Sequence, residues 1–314
     1  MSLEITRISS YPGKKDKLLK FFMELLPSKK ITKTWEPFAG TLSMSINLLK
    51  GFEPIEMFAT EKDLGMYSLL HAIQENPVEL YESMEELEYC KESYDWATKL
   101  RNSGYQGADE LQIAKAKYIL CNMSINGIDQ DGKYRDIDMN TENDLKKYCY
   151  AKQVRERFRR QVFENIMRGH KSLQGIKLEN VDMMSKFMFR AIDKEMFIFA
   201  DVPYTDKDLY AVKTDLDWHK NFIQTIIMLQ KQGNLNAKIM ICNYCKKDLR
   251  HDVYCELLKY GFKLVKVTEV VKPTVIRRNT KKKNKETEYV FINYDPIGTI
   301  ARNRIKTSKD VFGE

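Results

Sequence analysis

The stretch Met196-Phe197-Ile198-Phe199-Ala200-Asp201-Val202-Pro203-Tyr204 joins an apolar run to an acidic residue, a proline and an aromatic ring. The apolar part predicts a buried strand, and ligands of open α/β sheets bind at the ends of such strands. The carboxylate of Asp201 can accept a hydrogen bond from an exocyclic amine, a backbone carbonyl held by Pro203 can accept another, and Tyr204 offers a ring face for stacking. The alternative is a strand followed by an ordinary turn, because proline commonly ends strands.

Strand and helix patterns alternate on both sides of this stretch. Lys33–Phe38 and Ile55–Ala59 are predicted strands, and each is followed by a predicted helix, at Ser43–Leu49 and Tyr67–Gln74. The later predicted elements are a helix at Asp217–Gln232, a strand at Lys238–Cys242, a helix at Asp252–Tyr260, a strand at Phe262–Val267 and a closing strand at Tyr289–Asn293, paired as a hairpin with Val265–Val275. This alternation is typical of a doubly wound α/β sheet.

Residues 77–173 depart from the alternation. Glu79–Leu100 and Glu110–Met123 have helical spacing, and a basic helix runs to about Met167. Asp131-Gly132, between two polar segments of residues 127–138, is a strong hairpin turn signal. We therefore expect a mainly helical insertion carrying a β-hairpin at 77–173, and a main domain made of 1–76 and 174–314.

Composition limits the class of protein. The chain has 314 residues, of which 43% are hydrophobic and 31% charged, and no apolar run approaches the about 20 residues that a membrane-spanning helix needs. The N-terminus has no signal-peptide pattern, and six cysteines in a chain of this length do not make a disulfide framework. We therefore expect a cytoplasmic protein that does not enter a membrane.

The net charge of +8 is concentrated in two basic clusters, at residues 146–171 and 277–285. Such clusters suit a polyanion, and two of them favour nucleic acid as the partner. The alternative for each cluster is a solvated face or a mobile loop.

Two further loops have the features of a ligand site. In Trp35-Glu36-Pro37-Phe38-Ala39-Gly40-Thr41, a glycine in a strand-to-helix turn lets the backbone approach a ligand, and Glu61 or Asp63 after the next strand could hold ribose hydroxyls. Tyr11-Pro12-Gly13-Lys14-Lys15 places lysines before a helix, where a carboxylate or phosphate could compensate them. An ordinary connection and a solvated basic turn are the respective alternatives.

One cysteine pattern imitates a zinc site. Cys242 and Cys245, followed by His251 and Cys255, have spacing near that of a zinc knuckle. Cys242 ends an apolar strand, however, where its side chain is expected to pack in the sheet. We therefore expect no metal here.

Taken in order, these segments resemble the Dam-like class of adenine-N6 DNA methyltransferases, nearly from end to end. Pro12-Gly13-Lys14 resembles the N-terminal segment of that class that helps bind S-adenosylmethionine, Glu36-Pro37-Phe38-Ala39-Gly40 its Glu-Pro-Phe-x-Gly loop, and Asp201-Val202-Pro203-Tyr204 its Asp-Pro-Pro-Tyr tetrapeptide. The resemblance implies a Rossmann-like methyltransferase sheet with an inserted DNA-recognition domain at 77–173.

The resemblance also implies roles for individual residues. It implies catalytic roles for Asp201, Pro203 and Tyr204. The cofactor residues that it implies are Tyr11, Lys14, Glu36, Pro37, Phe38, Ala39, Gly40, Glu61, Asp182 and Asp201, with Glu61 at the ribose and Asp182 near the adenine of S-adenosylmethionine. The DNA-binding residues expected from the insertion and the second basic cluster are Asn126, Lys133, Arg135, Arg155, Arg159, Arg277, Arg278 and Lys282.

Two residues depart from the family pattern. Val202 replaces the first proline of the tetrapeptide, and Leu42 stands where a second glycine is usual in the cofactor loop. These departures are the features that favour one alternative, a DNA-binding protein of the same fold without catalysis. Cytosine N4 or an RNA base as the acceptor is a second alternative, because the same tetrapeptide geometry suits any planar amine.

We therefore predict a site-specific methyltransferase that moves a methyl group from S-adenosylmethionine to adenine N6 of double-stranded DNA. The amine is buried in the duplex, so the base must be flipped out. The basic insertion is expected to contact phosphates and the hairpin to read base edges. A bacterial or phage origin is expected, and a cognate restriction enzyme is a candidate partner.

Overall fold

The computed structural model describes residues 18–28, 31–52, 56–85, 87–125, 133–137, 145–185, 195–203, 214–231, 237–244, 249–267, 270–271, 285–286, 288–298 and 302–313. The elements of the first part are α1 (Leu19–Glu24), β1 (Lys33–Glu36), α2 (Ser43–Phe52), β2 (Glu56–Thr60), α3 (Leu64–Glu75), α4 (Pro77–Glu85), α5 (Lys91–Asn102), α6 (Glu110–Met123) and α7 (Leu145–Leu173). The second part contains β3 (Ile176–Glu179), β4 (Met196–Asp201), α8 (Leu216–Lys231), β5 (Lys238–Tyr244), two 3₁₀ helices (Leu249–His251 and Val253–Tyr260), β6 (Lys263–Lys266), β7 (Val270–Val271), β8 (Lys285–Glu286), β9 (Glu288–Ile292), β10 (Ile305–Lys306) and α9 (Ser308–Phe312).

The central sheet has eight strands in the order β10-β6-β9-β5-β4-β1-β2-β3. Neighbouring strands from β5 to β3 are parallel, whereas β9 runs antiparallel between β5 and β6. The chain moves outward from β1 to β3 on one side and from β4 to β5 on the other, so the order reverses between β1 and β4. This reversal is the position where a crevice opens outside the carboxyl ends of the strands. The predicted α/β fold is confirmed. The predicted closing strand is antiparallel to the segment that begins at Val265, which lies opposite Val290, whereas residues 272–275 of the predicted pairing lie outside the described part of the chain.

Alternation along the strands divides the core between the two faces of the sheet. In β4, Phe197 and Phe199 belong to one hydrophobic cluster, whereas Ile198 and Ala200 belong to the other. The second cluster is completed by α8 and the longer 3₁₀ helix, through residues such as Phe222 and Leu257. Successive side chains of a strand point to opposite faces, so both faces of β4 are buried.

The helices α4 to α7 lie between α3 and β3 in the chain, and α4, α6 and α7 pack against α3. α6 packs against α3 and α5, and α7 packs against α3 and α4. Their buried residues, among them Tyr118, Phe158 and Ile166, belong to the same hydrophobic cluster as Phe197 of the sheet. The helical insertion therefore shares a continuous core with one face of the sheet.

Two predicted helices differ in detail from the observed ones. The region Glu79–Leu100 is interrupted, because Leu87 and Tyr89 turn into the core and Cys90, in an extended conformation, caps α5. The segment predicted as a helix at Asp252–Tyr260 is a 3₁₀ helix that begins at Val253. Among the described residues, no helix is both long and apolar enough to cross a membrane.

Candidate active site

The acidic residues singled out by the sequence meet at one edge of the sheet. Glu36 ends β1, Glu61 directly follows β2, and Asp201 ends β4. These three strands are adjacent and parallel, and they flank the reversal of strand order. Their carboxyl ends therefore bring the three carboxyl groups to the crevice where ligands of such sheets bind.

The loop after β1 is held by the end of β2. The N–H of Ala39 donates to the carbonyl of Thr60 at 3.1 Å, and the Thr60 hydroxyl donates to the carbonyl of Pro37 at 3.1 Å. Gly40 has a φ of 50°, in the left-handed region that glycine adopts without steric cost, and its N–H donates to Oε2 of Glu61 at 3.0 Å. The loop of Glu36-Pro37-Phe38-Ala39-Gly40 is therefore held by hydrogen bonds against Glu61, the residue expected to bind the ribose.

Glu36 points toward the start of α2. Its Oε2 accepts the backbone N–H of Ser45 at 3.1 Å and the Ser45 hydroxyl at 2.5 Å. Burial raises the pKa of Glu36 to about 8, although the two hydrogen bonds from Ser45 lower it; the charges of Asp201 and Glu61 add a smaller rise. Glu36 therefore satisfies an N–H group of the first turn of α2 that has no partner within the helix.

Both oxygens of Glu61 accept backbone N–H groups. Besides the bond from Gly40 to Oε2, the N–H of Asp63 donates to Oε1 at 2.9 Å. Burial raises the pKa of Glu61 to about 7, helped by the charge of Asp63 and opposed by both N–H groups and by Lys117. The Asn180 side chain donates to the carbonyl of Glu61 at 2.7 Å, so β3 also supports this position.

Asp182 lies beyond the end of β3 and contacts Lys62, the residue after Glu61. Its Oδ1 accepts the N–H of Met184 at 2.9 Å, and its Oδ2 forms an ion pair with Lys62 at 2.8 Å. Both side chains of this pair are partly exposed, so solvent screening keeps its contribution small. The structure thus brings Asp182 to the same edge as Glu61.

The tetrapeptide begins where β4 leaves the sheet. The side chain of Val202 is buried in the second cluster, whereas Asp201 and Pro203 are partly exposed. Phe38 lies on the same cluster, and its ring meets that of Trp218 edge-on at 6.0 Å. Val202, the residue after Asp201, therefore belongs to the same cluster as these two aromatic rings.

Leu42 occupies a conformation that usually requires glycine. Its φ is 54°, and left-handed conformations cost residues with a Cβ about 1–2 kcal/mol. Its side chain is buried in the first cluster with 1% exposure, and its N–H donates to the carbonyl of Ala39 at 2.7 Å. The residue that departs from the family glycine therefore retains the glycine backbone conformation and packs its side chain into the core.

The ring of Tyr89 lies between the base of the predicted hairpin and α7. Ser124 pairs with Tyr134 in antiparallel fashion, and the N–H of Arg135 donates to the carbonyl of Met123 at 2.8 Å. The ring of Tyr89 contacts that of Tyr134 at 6.0 Å and that of Phe158 at 5.4 Å. Glu88, the residue before Tyr89, forms an exposed ion pair with Arg159 of α7 at 3.8 Å.

Arg135 also has a structural role that its sequence position did not indicate. Its Nε donates to the hydroxyl of Tyr89 at 3.0 Å, and its Nη2 donates to the carbonyl of Asn122 at 3.1 Å. Lys133, two residues earlier, is exposed and contributes its carbonyl to Ile125 at 2.9 Å. The two predicted DNA-binding residues of the hairpin therefore differ in how firmly they are held.

Several predicted residues lie outside the described part of the chain. They are Tyr11 and Lys14 of the N-terminal segment, Tyr204 of the tetrapeptide, Asn126 of the hairpin, and Arg277, Arg278 and Lys282 of the second basic cluster. Cys245 of the zinc-like pattern is also outside it. Cys242 is fully buried in β5 and packs in the first cluster, as predicted.

Sequence reasoning missed two residues that organise the site. Ser45 is one, and no local signal pairs it with Glu36. Lys117 is the other: it is fully buried in α6 and its Nζ contacts Oδ2 of Asp63. Its spacing from Ala114 and Cys121, which places it on the apolar face of the helix, is the signal that could have identified it.

Comparison with known proteins gives one family match. Residues 11–272 match the family model for the D12 class N6 adenine-specific DNA methyltransferase. No curated protein matches the sequence. Among solved structures, the chain is similar to the rRNA methyltransferase aviRa from Streptomyces viridochromogenes at 11% identity and a TM-score of 0.30, with 92% of this chain and 88% of that chain covered.

Proposed function

The chain belongs to the D12 class N6 adenine-specific DNA methyltransferases, and we propose that Asp201, Pro203 and Tyr204 hold the adenine amine while Glu61 and Asp182 hold S-adenosylmethionine. The observation that carries this assignment is the meeting of Glu36, Glu61 and Asp201 at adjacent strand ends beside the reversal of strand order. Transfer of a methyl group from S-adenosylmethionine to adenine N6 in DNA is the activity of the family.

The cofactor fits the donors and acceptors of the site. Glu61 and Asp182 offer carboxylate oxygens that match the ribose hydroxyls and the adenine amine of a nucleoside. The loop of Pro37, Phe38, Ala39 and Gly40, held by Thr60 and Glu61, faces the methionine end together with Tyr11 and Lys14. Glu36 shapes this loop from behind through its hydrogen bonds to Ser45.

The tetrapeptide orients the target base. Asp201 accepts a hydrogen bond from N6, which concentrates electron density on that nitrogen, and the carbonyl before Pro203 accepts the other N–H. Tyr204 stacks on the flipped base and offsets part of the few kcal/mol that unstacking costs. When bound, S-adenosylmethionine would supply the methyl group: a C–N bond would form as the S–C bond breaks with its electron pair on sulfur, and the proton lost from N6 would pass through Asp201 to water. The residues act mainly by positioning.

The insertion supplies the DNA contacts. Arg155 and Arg159 are exposed on α7, and Lys133 and Arg135 are exposed in the hairpin. The second basic cluster with Arg277, Arg278 and Lys282 adds positive charge. These residues contact phosphates, and Asn126 in the hairpin approaches base edges. Residues 77–173 thus act as the target-recognition domain, and residues 1–76 and 174–314 as the catalytic domain.

The proposal also includes a cytoplasmic location, in a bacterial or phage-infected cell. It includes as a partner a restriction enzyme that recognises the same target sequence.

Asp201 is tested by methyl transfer and DNA binding measured together. Labelled methyl from S-adenosylmethionine is followed into unmethylated genomic DNA, which is then digested to nucleosides. The wild type should yield N6-methyladenine, whereas Asp201→Ala should lose transfer by about a hundredfold or more with DNA affinity largely unchanged. Asp217→Ala on α8, an exposed carboxylate paired with Lys220, is the matched control. Equal transfer by Asp201→Ala would rule out the assigned role.

A further inference from the structure

A buried ion pair connects the insertion to the strand end that carries Glu61. Lys117 of α6 has no exposed surface, and its Nζ contacts Oδ2 of Asp63, which is also buried. Lysine is almost never fully buried unless it is paired, because removing its charge from water is costly. Asp63 lies two residues after Glu61, so an insertion helix places a positive charge beside the cofactor edge.

Hydrogen bonds lead from this pair to the cofactor loop. The N–H of Asp63 donates to Oε1 of Glu61 at 2.9 Å, and the N–H of Gly40 donates to Oε2 at 3.0 Å. The other oxygen of Asp63 accepts the N–H of Gly65 at 3.0 Å, which caps α3. A change of charge or position at Asp63 is therefore felt at Glu61 directly.

The charge of Lys117 also influences the ionisation of Glu61. Burial raises the pKa of Glu61 to about 7 and the charge of Asp63 raises it as well, whereas Lys117 opposes this rise. An ionised carboxylate accepts hydrogen bonds from hydroxyl groups more strongly than a neutral one. The charge of Lys117 thus favours the form of Glu61 that suits a ribose.

We propose that Lys117 is a positioning residue for S-adenosylmethionine, holding Asp63 and, through it, the carboxylate of Glu61 in the arrangement that accepts the ribose. This role rests on the proposed function of Glu61. Lys117 lies in α6, whose last residue Met123 is bonded to Arg135 of the hairpin. The same helix therefore supports both the DNA-contacting hairpin and the cofactor edge.

Other ionisable groups among the described residues also lie at this edge of the sheet. Glu36 of β1 and Asp201 of β4 lie on one side of Glu61. The negative charges of Asp201 and Glu61 add to the raised pKa of Glu36. The pair of Lys62 and Asp182 lies on the other side, toward β3. These groups are kept unchanged in the variants below, so differences between variants report on Lys117 and Asp63.

The test is binding of S-adenosylhomocysteine by titration calorimetry between pH 5.5 and 9, with circular dichroism at each pH to verify folding. Wild-type affinity should rise with pH through a midpoint near 7, as Glu61 ionises. In Lys117→Met the charge of Asp63 is no longer balanced, so the midpoint should move upward by about one pH unit. Affinity should recover at the alkaline end of the range.

Two further variants test the pH midpoint of binding: one should shift it in the opposite direction, and the other should restore it. Asp63→Asn keeps a cap for α3 but removes the charge that opposes ionisation of Glu61, so its midpoint should move downward. The double variant Lys117→Met/Asp63→Asn should return toward the wild-type midpoint. Lys115→Met is the matched control, because this lysine lies in the same helix but its Nζ donates to the carbonyl of Ser83; its midpoint should equal that of the wild type.

The outcomes separate the positioning role from the proposed function. Opposite shifts in the two single variants support the role of Lys117. Unchanged midpoints in both folded variants, or a uniform loss of affinity without a shift, overturn it and leave Lys117 as a structural residue. If the wild type and the Lys115→Met control do not bind S-adenosylhomocysteine at any pH, the proposed cofactor site is wrong and the role of Lys117 falls with it.

Discussion

Oε2 of Glu36 accepts both the backbone N–H and the hydroxyl of Ser45, at 3.1 Å and 2.5 Å. A residue that the family resemblance assigns to the cofactor is thus bonded to the first turn of α2 and is 4% exposed. These two hydrogen bonds join the end of β1 to the start of α2, and the loop of residues 37–42 lies between them. The environment of Glu36 also makes a clear prediction for pH.

The stability of the protein should fall with rising pH because of Glu36. Burial raises the pKa of this group to about 8 in the folded state, whereas the unfolded chain releases the proton near its ordinary value. Between these two values the folded state binds more protons, so the free energy of unfolding decreases as pH rises. Glu36→Gln, which resembles the protonated acid, should flatten this decrease in urea unfolding measured from pH 5 to 9. An unchanged slope would contradict the assignment.

At position 42, the glycine variant should be more stable than the alanine variant, which is the reverse of the order usual within a helix. Both Leu42→Ala and Leu42→Gly lose the packing of a buried side chain, at a cost of about 2–5 kcal/mol. Only glycine adopts the φ of 54° without steric cost, so Leu42→Gly should be more stable than Leu42→Ala by about 1 kcal/mol. Urea unfolding of the two variants measures this difference. If alanine were the more stable, the left-handed conformation would be wrong.

Arginines on α7 should determine the salt dependence of DNA binding. Arg155 and Arg159 are exposed, and the ion pair of Arg159 with Glu88 spans 3.8 Å at the surface. If each contacts a phosphate, Arg155→Gln and Arg159→Gln should each reduce the slope of log affinity against log salt by about 0.9. Lys220→Gln on α8 changes the net charge equally and should leave the slope unchanged. Equal slopes in all variants would exclude phosphate contacts by these arginines.

Substitution of Arg135 should lower both the stability of the protein and its DNA affinity, whereas substitution of Lys133 should lower only the DNA affinity. Arg135 bonds Tyr89 and the carbonyl of Asn122, so Arg135→Ala should lower the free energy of unfolding by about 1 kcal/mol. Lys133→Ala, an exposed change, should stay within about 0.5 kcal/mol of the wild type. Both should weaken DNA binding in a fluorescence titration. A stability loss in Lys133→Ala equal to that in Arg135→Ala would contradict the different contacts of the two side chains.

The sequence was sufficient for six of the eight strands and for the positions of the acidic residues, whereas β3 and β10 were not predicted. Alternating or continuous apolar residues predict β1, β2, β4, β5, β6 and β9. The order of strands and helices predicts a doubly wound sheet. Because the carboxyl ends of parallel strands share one edge, Glu36, Glu61 and Asp201 could be placed together without coordinates. The motifs then identified the family, which the match over residues 11–272 bears out.

Contacts between residues distant in the chain came only from the three-dimensional arrangement. Ser45 meets Glu36 because the turn after β1 folds back, and Lys117 meets Asp63 across 54 residues. Helical spacing places Lys117 on the apolar face of α6, but it does not identify Asp63 as the partner, because that depends on how α6 packs against α3. The backbone of Leu42 is a further case: its residue type predicts an ordinary conformation, and packing of its side chain in the core holds it in the left-handed one. Local sequence thus set the strand ends, while packing selected their partners and the charge around Glu61.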